Sequence, residues 1–439
     1  MERYSSYKDS NVSWIGMIPK HWETYIFKRL IKYRKAGSWG SEPKTSEIDC
    51  TCLRIADFDY DKFRFQRKTD NTIRSYKWKE LEDRILKQGD ILIEKSGGGE
   101  KTPVGRSILY DLNINNAMYA NFMEKIAPKE CLISKFLVYI LSLMYSRRAI
   151  WTYVKYTTGI QNLDLTSMLS NEKIPLPPLA EQGKIVSYLE SKTSKIDAYV
   201  ADKEKEIQLL QELKQKTITE AVTKGLNPNV KMKDSGISWI GMIPEHWGVK
   251  RAKYMFLKNK RDRRPEDEVI TCFRDGQVTL RKNRRLTGFT ESEKYDGYQG
   301  IRKGDLVIHQ MDAFAGSIGV SDSDGMGTSV YHCCTPIGDY NVYYYAFLIR
   351  QMAISGFIQS LYKGIRERSS DFSFPVFGNQ YLIIPPRTEQ DDIVANIDEK
   401  CQKIDTLITK LQAEIDYLKE YKQRLIADVV TGQVNVQNK

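Results

Sequence analysis

An internal duplication constrains this chain more than any other feature of its sequence. Residues 13–23 read SWIGMIPKHWE, and residues 238–248 read SWIGMIPEHWG, 225 positions later. A second repeat begins at Pro177 with PPLAEQGKIVSYLESKTSKIDAYV and returns at Pro385 as PPRTEQDDIVANIDEKCQKIDTLI, 208 positions later. Solenoid and propeller repeats have periods of roughly 20–50 residues, so they do not explain so long a period. The sequence therefore predicts two domain-sized copies of one arrangement.

The repeats divide the chain into segments in a fixed order. Each copy has a short tryptophan-containing box, a variable region in which few residues repeat, and a helical segment. The predicted segments are an N-terminal box at 1–23, a first variable region at 24–176, a first long helix at 177–225, a linker with the repeated box at 226–248, a second variable region at 249–384, a second long helix at 385–432 and a tail at 433–439.

Both helical segments carry apolar residues at the a and d positions of a heptad repeat. Such a stripe predicts coiled-coil helices, because it must be buried against another helix. The two stripes share one register, so the simplest packing is an antiparallel pair with pseudo-two-fold symmetry; burial of each helix in a separate core is the alternative. The predicted seam comprises Val186, Leu189, Ile196, Val200, Ile207 and Leu210 in the first helix, and Val394, Ile397, Ile404, Ile408, Leu411, Ile415 and Leu418 in the second.

Polar residues interrupt the seam, mostly in the first helix. Thr193 and Thr217 occupy seam positions there, and lysines occupy others at Lys203, Lys214 and Lys422. A polar residue at a seam position can specify the register of a coiled coil. The sequence leaves open whether these lysines fix the register or lie near frayed helix ends.

The two variable regions read as mixed α/β domains. Short apolar runs at 91–94, 306–309 and 381–384 predict strands, whereas segments 133–150 and 341–358 have helical periodicity. The predicted fold class is therefore mixed α/β, with two globular domains separated by two long antiparallel helices.

Composition bounds the compartment and the partners. No apolar run approaches the roughly 20 residues of a membrane span, and the first residues do not resemble a signal peptide. Seven cysteines, an odd number and thinly spread, favour free thiols in a reducing cytoplasm. The formal net charge of +11, from 67 Lys and Arg against 56 Asp and Glu, is compatible with a polyanionic partner. We expect a soluble cytoplasmic protein that does not contact a membrane.

No catalytic or metal site is visible. SGGGEKT at 96–102 differs from a phosphate-binding loop because Glu100 separates the glycines from Lys101. The cysteines near 50 and 333 lack a second ligand pair at zinc spacing. His21 and His246 lie in the repeated box, where packing against the scaffold is the preferred interpretation. We expect no catalytic residue, no metal and no cofactor on this chain.

Basic and amide side chains in the variable regions are candidates for DNA contacts. Arginine and lysine bind phosphates or guanine, and glutamine reads adenine. A solvated surface charge is the alternative for each of them. The candidates are Arg64, Lys68, Lys101, Arg106 and Gln161 in the first region, and Arg281, Arg284, Arg285, Arg366 and Arg368 in the second.

The repeated SWIGMIPxHW box, the PPxxEQ entry to a long helix and the Lys-Ile-Asp motif within that helix resemble the specificity subunit of type I restriction–modification systems. The resemblance covers the whole chain, with each feature duplicated and in order. It implies that each variable region is a target-recognition domain for one half of a split, asymmetric DNA site. It also implies that the helices set the distance between half-sites and bind two modification subunits, which two restriction subunits join.

The chemistry would then belong to the partners. The resemblance implies that these subunits, and not this chain, use S-adenosylmethionine, ATP and Mg²⁺. Two contacts on one side of DNA lie about one helical turn apart, roughly 10 bp, which predicts a spacer of about 5–8 bp. Two other classes stay open: a coiled-coil scaffold that binds proteins without specific DNA recognition, and a single-chain enzyme with an unfamiliar site.

Overall fold

The computed structural model describes residues 2–43, 47–66, 71–99, 102–157, 159–284, 287, 295–361 and 371–438. The chain divides into two compact units: unit 1 comprises Met1–Lys203 and Ala413–Lys439, and unit 2 comprises Glu204–Gln412. Each unit therefore takes one segment from the other half of the sequence. Within the described ranges no helix is long and apolar enough to cross a membrane.

Short strands and helices form the variable region of unit 1. The helices are α1 (Phe27–Leu30), α2 (Trp78–Leu81), α3 (Ser134–Ser146) and α4 (Leu165–Asn171). The strands are β1 (Tyr7–Asp9), β2 (Met17–Pro19), β3 (Glu23–Ile26), β4 (Ile31–Ala36), β5 (Ile48–Leu53), β6 (Phe58–Asp59), β7 (Arg64–Phe65), β8 (Ile73–Tyr76), β9 (Ile91–Glu94), β10 (Ser96–Gly97), β11 (Ser107–Leu109), β12 (Met118–Tyr119), β13 (Met123–Pro128), β14 (Val154–Thr157), β15 (Ile160–Leu163) and β16 (Lys173–Leu176).

A sheet in the order β4-β13-β9-β11-β7-β6 forms the centre of unit 1. All four residues of β9 are buried, and the strand pairs antiparallel with β13 and β11. Successive side chains of a strand point to opposite faces. Ile91 and Ile93 accordingly join the core that contains α3, whereas Leu92 joins a second core with Cys50 and Met118. Three apolar residues therefore follow one another, because both faces of the strand are covered.

The first long helix, α5, spans Leu179–Lys224 and contributes to both units. Pro177 and Pro178 precede it, and Gly225 follows it with φ of 75°. Left-handed backbone suits glycine and ends a helix, so the residues at both ends explain where the helix begins and stops.

Unit 2 repeats the plan with different residues. Its helices are α6 (Val342–Ile354), α7 (Phe357–Ser360) and α8 (Phe374–Gly378), followed by the second long helix, α9 (Arg387–Val430). Its strands are β17 (Met232–Asp234), β18 (Met242–Pro244), β19 (Gly248–Arg251), β20 (Phe256–Asn259), β21 (Ile270–Cys272), β22 (Val278–Leu280), β23 (Gln299–Ile301), β24 (Leu306–His309), β25 (Ile318–Val320), β26 (Gly325–Gly327), β27 (Tyr331–Pro336) and β28 (Tyr381–Ile384).

The two variable regions share a four-stranded frame. In unit 2 the order is β20-β27-β24-β25, which matches β4-β13-β9-β11 of unit 1, and all neighbours in both sets are antiparallel. Unit 1 extends this frame with β7 and β6. The mixed α/β class and the duplication are confirmed. The predicted helix at 133–150 ends earlier, at Ser146, because Arg148 adopts a left-handed backbone with φ of 60°.

A carboxylate at the start of α5 binds the box of unit 1. Glu181 accepts hydrogen bonds from the indole Nε1 of Trp22 at 3.0 Å, from Nε2 of His21 at 2.9 Å and from the Tyr4 hydroxyl. Trp22 is fully buried, so its N–H needs an acceptor inside the protein. Gly432, just beyond α9, packs so closely on Pro19 that an added Cβ would lie 2.3 Å from the proline ring. The box therefore joins the start of one long helix to the end of the other.

Unit 2 contains the same junction. Glu389 near the start of α9 accepts from Nε1 of Trp247 at 3.0 Å and from Nε2 of His246 at 2.7 Å. Gly225, beyond α5, packs on the ring of Trp247. Both box histidines thus pack against the scaffold, as the sequence predicts.

The neighbouring glutamines fasten the variable regions to these helix starts. Gln182 accepts a hydrogen bond from the amide of Ile133 and donates to the carbonyl of Cys131. Gln390 accepts from the amide of Asn341. Ile133 and Asn341 immediately precede α3 and α6, so each Glu-Gln pair fixes a box and a core helix at one point.

The predicted seam is buried or half-buried at every one of its positions. In unit 1, Asp197 of α5 contacts Lys422 of α9, while Lys203 contacts Glu414. Numbers rise on one helix as they fall on the other, so the segments are antiparallel and pair with each other. The lysines at seam positions are bound by carboxylates of the opposite helix, which favours a role in fixing the register.

The Lys-Ile-Asp motifs form reciprocal ion pairs. Asp197 bonds Lys422 at 2.5 Å in unit 1, and Asp405 bonds Lys214 at 2.7 Å in unit 2. The aspartates are 208 positions apart, and so are the lysines. Lys422 is almost buried and also donates to the carbonyl of Asp61, whereas Lys214 and Asp405 are more exposed. The same motif therefore makes a buried pair in one unit and a surface pair in the other.

β27 carries a buried imidazole that cannot easily accept a second proton. Nε2 of His332 lies 3.2 Å from the carbonyl oxygen of Phe372 and donates to it. Its Nδ1 is buried and has no hydrogen-bond partner among the residues that the structure describes. Burial lowers the pKa of His332 to about 4.

We predict that Lys422→Met destabilises the helix pairing in unit 1 more than Lys214→Met destabilises it in unit 2. Breaking a buried pair leaves an uncompensated charge and costs about 3 kcal/mol, against at most about 1 kcal/mol for an exposed pair. Hydrogen exchange of the helix amides measures each unit separately. Equal acceleration in both variants would contradict the burial argument.

We predict that unit 2 loses stability as the pH falls from about 6.5 to about 4, because the unfolded chain binds a proton at His332 that the folded chain does not. At about pH 5 the free energy of unfolding is about 2 kcal/mol lower than at pH 7.5. His332→Gln retains an ε N–H donor but does not titrate. The melting temperature of the variant, relative to that of the wild type, should therefore be higher at pH 5 than at pH 7.5. If this difference in melting temperature is the same at both pH values, His332 is not the titrating group.

Candidate nucleic-acid interface

The glycine loop after β9 and the β14–β15 hairpin lie together in unit 1. β10 pairs with β15, and β15 pairs with β14, in a small three-stranded sheet. Gln161 of β15 is buried, its Oε1 accepts from the amide of Val104, and its Nε2 donates to the carbonyl of Gly99. The sequence predicts Gln161 as a base contact from its residue type. In the structure both polar atoms of its side chain form hydrogen bonds with the glycine loop.

The guanidinium of Arg106 is bound inside unit 1. It donates to both carboxylate oxygens of Glu94, at 3.0 and 2.8 Å, and stacks on the ring of Tyr60 with 3.8 Å to its centroid. Glu94 is buried, and Tyr60 also donates to it. Burial and the neighbouring carboxylate raise the pKa of Tyr60, so its hydroxyl remains a donor at neutral pH. This network fixes the strand that follows the glycine loop.

Of the remaining candidates in unit 1, only Arg64 lies among the described residues. Arg64 lies in β7, on the extension that unit 2 lacks, and its side chain is exposed. Lys68 and Lys101 lie outside the described residues. The predicted roles of all three in DNA contact stay predictions.

In unit 2 the two described candidates, Arg281 and Arg284, lie close to the turn between β21 and β22. Arg284 donates to Asp275 at 2.7 Å and to Gln277 at 3.0 Å, and it stacks on Phe273. Arg281 is half-buried beside Thr271. Arg274, which the sequence did not single out, is exposed next to this turn and pairs with Asp312. Arg285, Arg366 and Arg368 fall outside the part of the chain that the structure describes.

Two neighbouring cysteines of unit 2 are poor candidates for a nucleophile. Cys333 and Cys334 are buried, and burial raises the pKa of both thiols, to about 12 for Cys333, which makes them poor nucleophiles. Among the described residues, no three His, Cys, Asp or Glu side chains are placed to hold a metal ion. The described parts of the variable regions present exposed basic and aromatic side chains, among them Arg64 of β7, Tyr156 of β14 and Trp78 of α2.

The most exposed aromatic side chains were missed by sequence reasoning. Tyr156 of β14 is 74% exposed, and Trp78 of α2 is 72% exposed. The sequence offers the segment YTTGIQN at 156–162 for nucleic-acid contacts, but the residue it predicts there is Gln161 and not Tyr156. No local pattern marks an aromatic ring as exposed, because strands use aromatic residues equally often for burial.

Comparison with known proteins agrees with this geometry. Residues 20–209 match the family described as the type I restriction modification DNA specificity domain. The type I restriction enzyme MjaVIII specificity subunit of Methanocaldococcus jannaschii is 28% identical over 224 residues, covering 50% of this chain and 49% of the relative. The EcoKI specificity subunit of Escherichia coli is 22% identical over 384 residues, covering 81% and 77%. The chain spans about half the length of the Methanocaldococcus relatives that it matches.

The fold is also found among solved structures. A chain from a structure on the complex assembly and conformational transition of the type I R-M system has a TM-score of 0.67, with 15% identity over 95% of this chain and 99% of that one. At this identity the likeness shows the fold alone. Together with the match at 20–209, it confirms the predicted resemblance: this chain is similar, in sequence and in fold, to the specificity subunits of type I restriction–modification systems.

Proposed function

We propose that this chain is the DNA-recognition subunit of a type I restriction–modification complex. One observation carries the proposal: the same support occurs in both units beneath unlike surfaces. The junctions at Glu181 and Glu389 share their tryptophan and histidine contacts, whereas the variable regions diverge outside their common frame. A repeated support for two different surfaces is what a protein needs to read two different half-sites.

In this mechanism each variable region reads one half of a split, asymmetric site in double-stranded DNA. Basic side chains neutralise phosphates, which makes the affinity depend on salt, and a few contacts to base edges select the sequence. The two long helices set a spacer of about 5–8 bp, on the expectation that the half-sites lie about one helical turn apart.

The chain itself is non-catalytic in this proposal and binds no cofactor. Two modification subunits supply adenine-N6 methyl transfer with S-adenosylmethionine, and two restriction subunits use ATP and Mg²⁺. All of them act with this chain in the cytoplasm of a bacterium or archaeon.

An exposed apolar patch in each unit supports the binding of two like partners. The patch of unit 1 consists of Tyr199, Tyr417 and Tyr421, and that of unit 2 of Leu407, Leu209 and Leu213. The members correspond in pairs at a separation of 208 positions. In the heptad frame all six occupy g or c positions, on one flank of the antiparallel seam. One equivalent patch per unit is what two copies of one subunit would require.

The methylome is the first test. We expect that expressing this chain with its modification subunit, in a host without adenine methylation, produces one split motif methylated on both strands across a fixed gap. Single-molecule sequencing maps N6-methyladenine. If a verified soluble complex yields no motif, and its DNA binding lacks a steep, duplex-specific salt dependence, the scaffold alternative is favoured instead.

We expect Tyr417→Lys to reduce the number of modification subunits bound per chain from two to one, because burying an unpaired charge in an apolar interface costs several kcal/mol. Native mass spectrometry counts the subunits. Leu209→Lys, at the equivalent position, should have the same effect, whereas Ile73→Lys, at an exposed position in β8, should leave two bound. Full occupancy in both patch variants would assign the patches no role in assembly.

A further inference from the structure

β14 and β15 form a two-stranded ribbon that continues beyond its pairing with β10 and exposes apolar side chains near its outer end. Their register pairs Val154 with Leu163 and Thr157 with Ile160. Tyr156 is 74% exposed and Ile160 is 46% exposed, whereas Leu163 at the base is buried. The ribbon thus changes from buried to exposed apolar residues towards its tip. Exposing such residues has a cost in water that function usually explains.

The ribbon is held at its base by polar contacts to the glycine loop. Asn162 accepts from the Ser96 hydroxyl at 2.7 Å, and the amide of Leu163 donates to the carbonyl of Lys95. Gln161 spans the loop from Val104 to Gly99. Gly98 has φ of 66°, and an added Cβ would lie 2.9 Å from the Gln161 oxygen and from the Val104 amide nitrogen. These contacts fix the base of the ribbon to the glycine loop.

The surrounding sequence is basic. Segments 95–106 and 147–164 together contain six Lys and Arg against two Asp and Glu. Lys155 lies on β14 beside Tyr156 with 70% of its side chain exposed, although it pairs with Asp164 at the base of the ribbon. Arg148 is exposed and stacks on Trp151. Positive charge around an exposed apolar tip is complementary to a polyanion that also offers apolar surface, which describes duplex DNA better than a protein.

We propose that this ribbon is the base-reading element of unit 1. It enters the major groove, which is wide enough for a two-stranded β-ribbon, and Tyr156 contacts base edges such as the thymine methyl group. Ile160 precedes Gln161, the cross-strand partner of Tyr156, and therefore lies on the opposite face of the ribbon. Lys155 lies towards phosphate, and Gln161 is a positioning residue that holds the tip against the glycine loop. This inference rests on the proposed function and assigns the choice of bases in one half-site to named side chains.

The test compares Tyr156→Ala with Trp78→Ala in the complete methyltransferase complex. Both remove an exposed aromatic ring from unit 1, but Trp78 lies in α2 and outside the ribbon. We expect Tyr156→Ala to weaken binding of a duplex carrying the wild-type motif by about tenfold or more, the size of the loss at one mismatched base pair. It should also relax the methylome at one half-site and leave the other half-site intact. Trp78→Ala should change neither.

Gln161→Ala tests the positioning role. We expect it to relax the same half-site as Tyr156→Ala, with faster hydrogen exchange of the Val104 amide. A lower melting temperature with an unchanged motif would make the role of Gln161 purely structural and overturn this part.

The inference and the proposed function fail in different ways. A wild-type complex with no motif and no salt-dependent DNA binding overturns the proposed function. A wild-type motif that persists unchanged in Tyr156→Ala, at wild-type affinity, overturns the ribbon assignment alone. Loss of a partner subunit from Tyr156→Ala, with its DNA affinity retained, would identify the ribbon as a protein-binding surface and likewise overturn it.

Discussion

The structure depends on one carboxylate in the first turn of each long helix. Glu181 and Glu389 lie where backbone N–H groups point outward and negative charge is favourable, and each carboxylate accepts from a buried indole. The tryptophan is large, so its ring fills the space between the helix start and the glycine beyond the other helix. A single acidic side chain therefore connects the box, the helix pair and, through the next glutamine, the core of the variable region.

This arrangement separates what must stay constant from what is allowed to differ. The four-stranded frame, the core helix and the junction recur in both units, whereas the additions to the frame do not. In unit 1 the additions are β7, β6 and the small sheet of β10, β15 and β14. Because the junctions with the long helices hold the frame in place, surface loops can change in sequence without loss of the fold.

The sequence predicted the parts of the fold that depend on local periodicity. A heptad stripe is a local pattern, and every predicted seam residue is buried or half-buried. The apolar runs at 91–94 and 306–309 likewise form central strands, whereas the run at 381–384 pairs only with β19. The contacts at the junctions were not predictable, because Trp22 and Glu181 are 159 positions apart and no periodicity links them. The candidate site was harder still. Arg106 and Gln161 have the right chemistry for DNA, but Glu94 and the glycine loop determine what they contact, and only tertiary structure brings these together.

The reciprocal ion pairs have an evolutionary consequence. Asp197 and Lys214 are encoded in the first half of the sequence, but each finds its partner, Lys422 or Asp405, in the second. A charge lost in one half can be compensated only by a change in the other half, about 200 positions away. After an exchange of whole halves between related genes, both ion pairs form only if the new half carries the matching charges at its two positions. Exchange of a variable region alone leaves both pairs intact, so that region can be replaced without a new helix pair.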